Sequence, residues 1–113
     1  MSQLEPNNIT ARLKERIAFE RPVYTLDALA ATQTTWQQTE EAWAEIQALN
    51  AREREYSERL ISVVSYRIYV RKYHNVQPDM RIIHEDKMLT IRAIINNPRD
   101  EALIEILAEE EQS

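Results

Sequence analysis

Two histidines and a pair of carboxylates are the residues of this chain that best suit metal binding or proton transfer. His84, Glu85 and Asp86 are consecutive, and His74 precedes them. Neighbouring side chains of a strand point to opposite faces, so His84 and Glu85 do not converge on one ion. The zinc-protease pattern HExxH also fails, because Met88 stands where its second histidine belongs. The segment therefore favours a turn between two strands, and a metal-dependent enzyme built on His74 and His84 is the catalytic alternative.

Other catalytic chemistry has little support in the sequence. The chain has no cysteine and no glycine, which excludes thiolate nucleophiles, disulfides and glycine-rich phosphate loops. The paired carboxylates fall at expected turns or ends and indicate solvated charge; they are Glu40-Glu41, Glu85-Asp86, Asp100-Glu101 and Glu109-Glu110-Glu111. We therefore predict a protein that is not an enzyme and has no catalytic, metal-binding or cofactor-binding residues.

Composition indicates one soluble domain. The 113 residues are 43% hydrophobic and 29% charged, and no apolar run is long enough to span a membrane. The N-terminus is polar and lacks a signal-peptide pattern. Net charge is −3 over residues 1–61, +3 over 62–98 and −5 over 99–113. Because the total is −5, any contact with nucleic acid is expected to be local.

Hydrophobic periodicity predicts a β-rich α+β fold, a small antiparallel barrel or sandwich. Alternation marks strands around Ile17 and Phe19, in "AWAEIQAL", and through most of the C-terminal half. Pro22 is expected to end the first strand or mark an edge. Two other elements are predicted: a long surface loop at about 23–35 and one α-helix at about 51–62.

The helix prediction depends on helical spacing and on a capping box. Tyr56, Leu60 and Val63 recur at i, i+4 and i+7, and Asn50 with Glu53 fits an N-terminal cap. The resulting organisation is an arm at 1–12, a single domain at 13–110 and a solvated, frayed acidic end at 111–113.

A basic and aromatic strand is the other feature with functional meaning. In "YRIYVRKYH", Arg67, Tyr69, Arg71 and Tyr73 are expected on one face. Such a mixture stacks bases and contacts phosphates in nucleic-acid-binding barrels. Tyrosine and arginine are also favoured at protein interfaces, which we prefer here.

The ordered set of segments resembles the head–tail joining, or head-closure "stopper", proteins of tailed bacteriophages and gene transfer agents. The likeness runs from about residue 11 to 110. It begins with "RLKERIAFERP", a variable loop ending at Trp36, and "AWAEIQALNARE". It continues with the Arg- and Tyr-rich strand, a Pro-x-Met-Arg turn, a hairpin, an Ile-rich strand and "LIEIL". Relatives carry Asp-Gly at the hairpin, where this chain has Asp86-Lys87, so a lysine at positive φ or a different turn is expected.

The resemblance implies a structural role without catalysis or cofactor. Such proteins form a ring, here of six or twelve copies, beneath the portal and adaptor proteins. The ring closes the DNA-filled head and offers a docking surface to a tail terminator or tail-completion protein, and double-stranded DNA passes through its channel. The expected location is the neck of a phage or phage-like particle, assembled in the bacterial cytoplasm.

The loop at 23–35 is the expected channel-facing or neighbour-contacting element. With the basic strand it supplies the interface or channel candidates, which are Tyr24, Leu26, Asp27, Trp36, Arg67, Tyr69, Arg71, Tyr73 and Lys87. Two alternatives stay open beside the metal-dependent enzyme. One is another neck component, an adaptor or a tail-completion protein. The other is a small nucleic-acid-binding barrel that uses Tyr69, Arg71 and Tyr73.

Overall fold

The computed structural model describes residues 9–56, 59–96 and 102–112, which form an antiparallel β-structure with one short helix. In chain order the elements are α1 (Ile9–Arg12), β1 (Glu15–Leu26), β2 (Thr32–Tyr56), β3 (Arg59–Arg71), β4 (Arg81–His84), β5 (Lys87–Asn96) and β6 (Leu103–Gln112). At four residues, α1 is the only helix within these ranges, and it is far too short to cross a membrane.

The six strands close on themselves in the order β1-β2-β3-β6-β5-β4. All neighbours are antiparallel, and the closing contact joins β4 to β1 over three residue pairs, from Ala18 with Ile83 to Glu20 with Arg81. Closure matters because the short strand β4 pairs with both β1 and β5 and so joins the two edges of the sheet. The predicted fold class, a β-rich antiparallel barrel, is confirmed.

Strand alternation fills the barrel interior. Ile17 and Phe19 of β1 point inward, as do Ile68 and Val70 of β3, and all four are almost fully buried. The inward side chains from the remaining strands complete one continuous cluster: Ala42, Ala44, Ile82, Leu89, Ile91, Ile104, Ile106 and Ala108. Burial of this apolar area stabilises the fold and leaves the interior occupied by side chains.

The first hairpin continues well beyond the barrel, and the predicted loop at 23–35 is therefore wrong. Pairing of β1 with β4 ends at Glu20, whereas pairing with β2 continues to Leu26 opposite Thr32. We call residues 21–37 the β1–β2 arm. Pro22 was expected either to end the first strand or to mark an edge. It lies at an edge of the arm and does not end the strand. The segment is rich in threonine, a β-branched residue that favours strands over a loop once a partner strand is available.

The predicted helix at about 51–62 is also wrong. Residues 51–56 complete β2, and β3 begins at Arg59, so this segment is a second hairpin in which Arg54 pairs with Ile61. Ile61 and Val63 are buried at a spacing of two, the strand period. The helical spacing of Tyr56, Leu60 and Val63 competed with this alternation. Cross-strand pairing decided the outcome. The hydrogen bonds to β3 satisfy the backbone N–H and C=O groups of this segment as fully as a helix would.

The β4–β5 hairpin turns at Glu85 and Asp86, with His84 paired to Lys87. Glu85 has φ of 59°, and among the described residues only Ala30 shares this positive sign. A positive φ at the first of two turn residues is the pattern of a type II′ turn. Of the two expectations for this hairpin, the different turn is therefore the one found: the positive φ falls on Glu85, and Lys87 is the first residue of β5.

The C-terminal acidic residues belong to a strand, in contrast to the frayed end expected at 111–113. β6 runs to Gln112, and its Glu111 pairs with Val63 of β3. The N-terminal arm lies outside the described residues except for α1, and the limits of the domain at 13 and 110 stay a prediction.

Candidate assembly surfaces

The two histidines lie in separate contacts. Nδ1 of buried His74 is 3.1 Å from Oε2 of Glu40, although without hydrogen-bond geometry. Nε2 of His84 is 3.2 Å from Oε1 of Glu15. Within the part of the chain that the structure describes, no three His, Asp or Glu side chains converge as metal ligands do. The two histidines therefore face different glutamates, Glu40 of β2 and Glu15 of β1, and do not share a site.

The β1–β2 arm presents an apolar face. Its register pairs Leu26 with Thr32, Tyr24 with Thr34, and Pro22 with Trp36, and cross-strand partners share a face of the ribbon. Leu26 is 70% exposed and Tyr24 64% exposed, and Leu29 at the tip reaches 89%. Because exposed apolar side chains gathered in one place are common at protein contacts, this face is a candidate contact surface.

The tip of the arm is held by one carboxylate. Oδ1 of Asp27 accepts hydrogen bonds from the backbone N–H groups of Leu29 and Ala31 at 2.8 and 2.9 Å, and Oδ2 accepts one from Gln33. The bond from Ala31, then those from Gln33 and Leu29, hold the pKa of Asp27 below its ordinary value. The tip is therefore an ordered, charged turn. Asp27 is also the only acidic or basic residue between Pro22 and Thr39.

The root of the arm is fixed to the barrel by Arg81. Its Nε donates to Oε1 of Glu20 at 2.7 Å, and its guanidinium lies 4.2 Å from the ring centre of Trp36. Arginine suits this position because its planar group bonds a carboxylate and stacks on an aromatic ring together. Trp36 thus belongs to the base of the arm, and its ring is partly covered by the barrel.

The basic and aromatic strand is largely engaged within the molecule. Glu105 accepts hydrogen bonds from Arg67 at 3.1 Å and from Tyr69 at 3.5 Å. Burial, then the charge of Glu105, raises the pKa of Tyr69. Arg71 donates to Thr10 of α1 at 3.1 Å. Of the four residues on this predicted face, Tyr73 alone is widely exposed, and it packs against His74 in the loop after β3.

A second surface lies at the other end of β2, and the sequence reasoning missed it. Glu109 of β6 is only 11% exposed and pairs with Arg52 at 3.0 Å, Arg54 at 3.4 Å and Arg92 at 2.9 Å. Burial acts to raise the pKa of Glu109, but the hydrogen bond from Arg92 and the three positive charges outweigh it and hold the pKa below its ordinary value. The carboxylate lies beneath, and the guanidinium groups form the outer layer.

Two of these arginines, Arg52 and Arg92, border a groove of about 230 Å³. Apolar side chains dominate its floor, with Arg52 and Arg92 at its rim. We call it the arginine groove; it is lined by Leu49, Asn50, Arg52, Ser65, Tyr66, Arg92, Leu107, Ala108 and Glu109. The "AREREY" alternation, with arginines on one face of a strand, was the signal available in the sequence. It was hidden by the helix prediction.

The predicted candidates thus divide into three groups. Tyr24, Leu26, Asp27 and Trp36 come together on the β1–β2 arm, and Arg67, Tyr69 and Arg71 lie on the barrel wall. Tyr73 and Lys87 are exposed in separate places. Together these features describe a closed, side-chain-filled barrel with a protruding apolar arm and a charged groove.

Comparisons with known proteins identify the family. Residues 9–111 match the family model described as phage head completion protein, so the chain belongs to that family. A comparison with curated proteins finds no match. The resemblance to phage head-closure proteins is confirmed.

Two solved structures share the fold. A chain from the virion of a native gene transfer agent particle matches 88% of this chain and 96% of its own length, with 25% identity and a TM-score of 0.79. The solution structure of a protein from Shigella flexneri 2a matches 91% of this chain and 96% of its own, with 20% identity and a TM-score of 0.67. The protein is a virion structural protein of the phage head or neck.

Proposed function

We propose that this protein forms a ring beneath the portal and adaptor proteins, closes the DNA-filled head and provides the docking surface for the tail. Family membership supports this role, as does the likeness to a virion chain over almost its whole length. The role is structural and involves no catalysis. Six or twelve copies are the stoichiometries that fit a ring below a portal.

The observation that carries the proposal is the apolar face of the β1–β2 arm. Tyr24, Leu26 and Leu29 are exposed on a projection outside the barrel, where no other described strand covers them. Burying such side chains against a neighbour stabilises an assembly by about 1.5–3 kcal/mol per fully buried side chain. A heterologous contact of this kind produces a ring when the rotation closes.

The same face favours a neighbour contact over a channel lining for the arm. A wall that lets DNA slide is expected to be polar or acidic, because apolar side chains there gain no burial from hydrated phosphates. In this protein the arm has a single acidic residue, Asp27, and its exposed face is aromatic and aliphatic. We therefore assign the arm to subunit contacts.

The deciding experiment images particles made without this protein. Heads that package DNA, lose it and remain tailless are expected. Normal tailed particles contradict the proposal. Heads that keep their DNA but lack tails indicate the rival tail-completion role. The other rival, an adaptor, is expected to be mainly helical, which the β-rich fold disfavours.

A matched pair of variants tests the arm itself. Leu26→Asn places a polar group on the arm's apolar face, and Leu60→Asn makes the same change at a similarly exposed leucine of the second hairpin. We expect the first to reduce the yield of DNA-filled, tailed particles and the second to leave it near normal. Equal yields from both variants refute the role given to the arm.

A further inference from the structure

The tip of the arm and the arginine groove lie at opposite ends of one strand. β2 begins at Thr32, next to the tip, and reaches the groove at Asn50 and Arg52. Twenty residues of extended strand span at most about 66 Å, and the longest dimension of the molecule is 64 Å. The two surfaces are therefore placed to face different neighbours.

The two surfaces are chemically complementary. The tip carries three exposed apolar side chains, Tyr24, Leu26 and Leu29, and one carboxylate, Asp27. The groove has an apolar floor bordered by Arg52 and Arg92. An apolar projection with one negative charge fits an apolar depression with a positive rim.

The rim arginines retain capacity for a further acceptor. Each guanidinium has five N–H donors, and the described bonds to Glu109 use Nη2 of Arg52 and Nε of Arg92. Both side chains are about half exposed. An incoming carboxylate therefore meets oriented donors without displacing Glu109.

We propose that the tip of the β1–β2 arm of one copy docks into the arginine groove of the next copy, with Leu29 on the apolar floor and Asp27 against Arg52 and Arg92. This inference rests on the proposed ring and names both surfaces of its subunit contact. The contact is heterologous, because each copy offers its arm to one neighbour and its groove to the other. Such head-to-tail contacts close into a ring.

Site-directed disulfide cross-linking tests the contact in assembled particles, since the chain has no cysteine of its own. Particles are built with Leu29→Cys and Leu49→Cys in the same chain and oxidised with copper phenanthroline. We expect a ladder of covalent multimers on a non-reducing gel, because every neighbour pair joins one tip to one groove. The control pair, Leu29→Cys with Met88→Cys, places the second cysteine outside the groove at a residue of similar exposure, and no ladder is expected.

The proposed ring and the proposed docking of the tip into the groove can be tested separately. A lysine-reactive cross-linker on the same particles reports neighbouring copies whichever surfaces they use. Multimers from that reagent without a ladder from the 29–49 pair overturn the docking and leave the ring intact. No multimers from either reagent overturn the ring itself.

The charge complementarity has its own readout. Asp27→Asn, combined with the cysteine pair, is expected to slow cross-linking about two- to fivefold, as for loss of one partly exposed ion pair. An unchanged rate overturns the role of Asp27. Binding of a short DNA duplex by the purified protein, lost in Arg92→Gln, assigns the groove to phosphates and overturns the docking.

Discussion

The two ends of β2 carry side chains of opposite character, apolar at one end and charged at the other. The arm end is almost uncharged, and its large side chains, Tyr24 and Leu26, extend into solvent from a two-stranded ribbon. The groove end carries Arg52 and Arg54, whose charges are met within the chain by Glu109. One end therefore satisfies its polar groups internally, and the other leaves its apolar groups without cover.

This difference shows which part of the chain is stabilised within the subunit and which part depends on a partner. Ion pairs close to the barrel stabilise the isolated subunit, because a partly buried carboxylate shared by three guanidiniums is well compensated. An exposed apolar ribbon gains nothing for the isolated subunit and stabilises only a complex. The arm is thus expected to matter for assembly alone, whereas the arginine cluster also stabilises the folded subunit.

The largest effect is expected from breaking the body of the barrel, with the arm as its control. Phe19→Ala removes a fully buried ring and should lower the free energy of unfolding by about 3–5 kcal/mol. Leu29→Ala at the tip should change it by less than about 0.5 kcal/mol. Urea titration of the purified chain measures both. A clear destabilisation by Leu29→Ala contradicts the view that the tip of the arm does not contribute to the stability of the free subunit.

The next effect concerns Glu109. Glu109→Gln removes the charge shared by Arg52, Arg54 and Arg92 and should cost about 2 kcal/mol, between the values for surface and buried pairs. Because folding lowers the pKa of Glu109, its stabilising contribution is complete above the unfolded value of about 4.3 and is lost as pH falls through the lower folded value.

Denaturation of wild type and Glu109→Gln across that acid range checks the assignment. The difference in stability between the two proteins should shrink as pH falls. A constant difference down to the acid end shows that shape, and not charge, explains the loss.

A smaller effect is expected at the root of the arm. Arg81→Gln removes the 2.7 Å bond to Glu20 and the stacking on Trp36, and should cost about 1–2 kcal/mol. Tryptophan fluorescence should also change, since the ring of Trp36 loses its cover. Arg21→Gln, which breaks an exposed bond to Gln37, is the matched control and should be nearly neutral. Similar losses from both changes argue against a special role for Arg81.

The smallest effect is a gain at a turn outside both surfaces. Glu85→Gly relieves the positive φ of 59° and should stabilise the chain by roughly 0.5–1 kcal/mol. Asp86→Gly, at the neighbouring position without positive φ, should destabilise slightly because it only adds freedom to the unfolded chain. Thermal unfolding of the two variants measures the contrast. If Asp86→Gly stabilises the chain, the strain lies at Asp86 and the assignment to Glu85 is wrong.

Sequence reasoning succeeded where period two was unopposed. It placed a strand around Ile17 and Phe19, and both are buried inside the barrel, because apolar and polar residues alternate cleanly in this part of β1. It failed at 51–62, where strand and helix periods overlap, and at 23–35, where exposed small and polar residues resemble a loop. Both regions form hairpins, in which each strand is stabilised by pairing with the other. The sequence of one strand does not show which other segment will pair with it.

The candidate site shows the same division. Tyr24, Leu26 and Asp27 were chosen as candidates by position and type, which stays a prediction, and the segment holding them proved to be a hairpin. Arg52, Arg54, Arg92 and Glu109 were not recognised, because they come from three strands and meet only after the barrel closes. Contacts across such sequence separations depend on strand order.

The sequence by itself determined the β-rich class, the inward residues of the main strands and the family likeness, since these depend on alternation and on the order of local segments. The tertiary structure decided the closure of the barrel, the projection of the arm and the gathering of three arginines on one carboxylate. Those features follow from which strand edges pair, and edge pairing is a choice between distant parts of the chain that local periodicity does not encode.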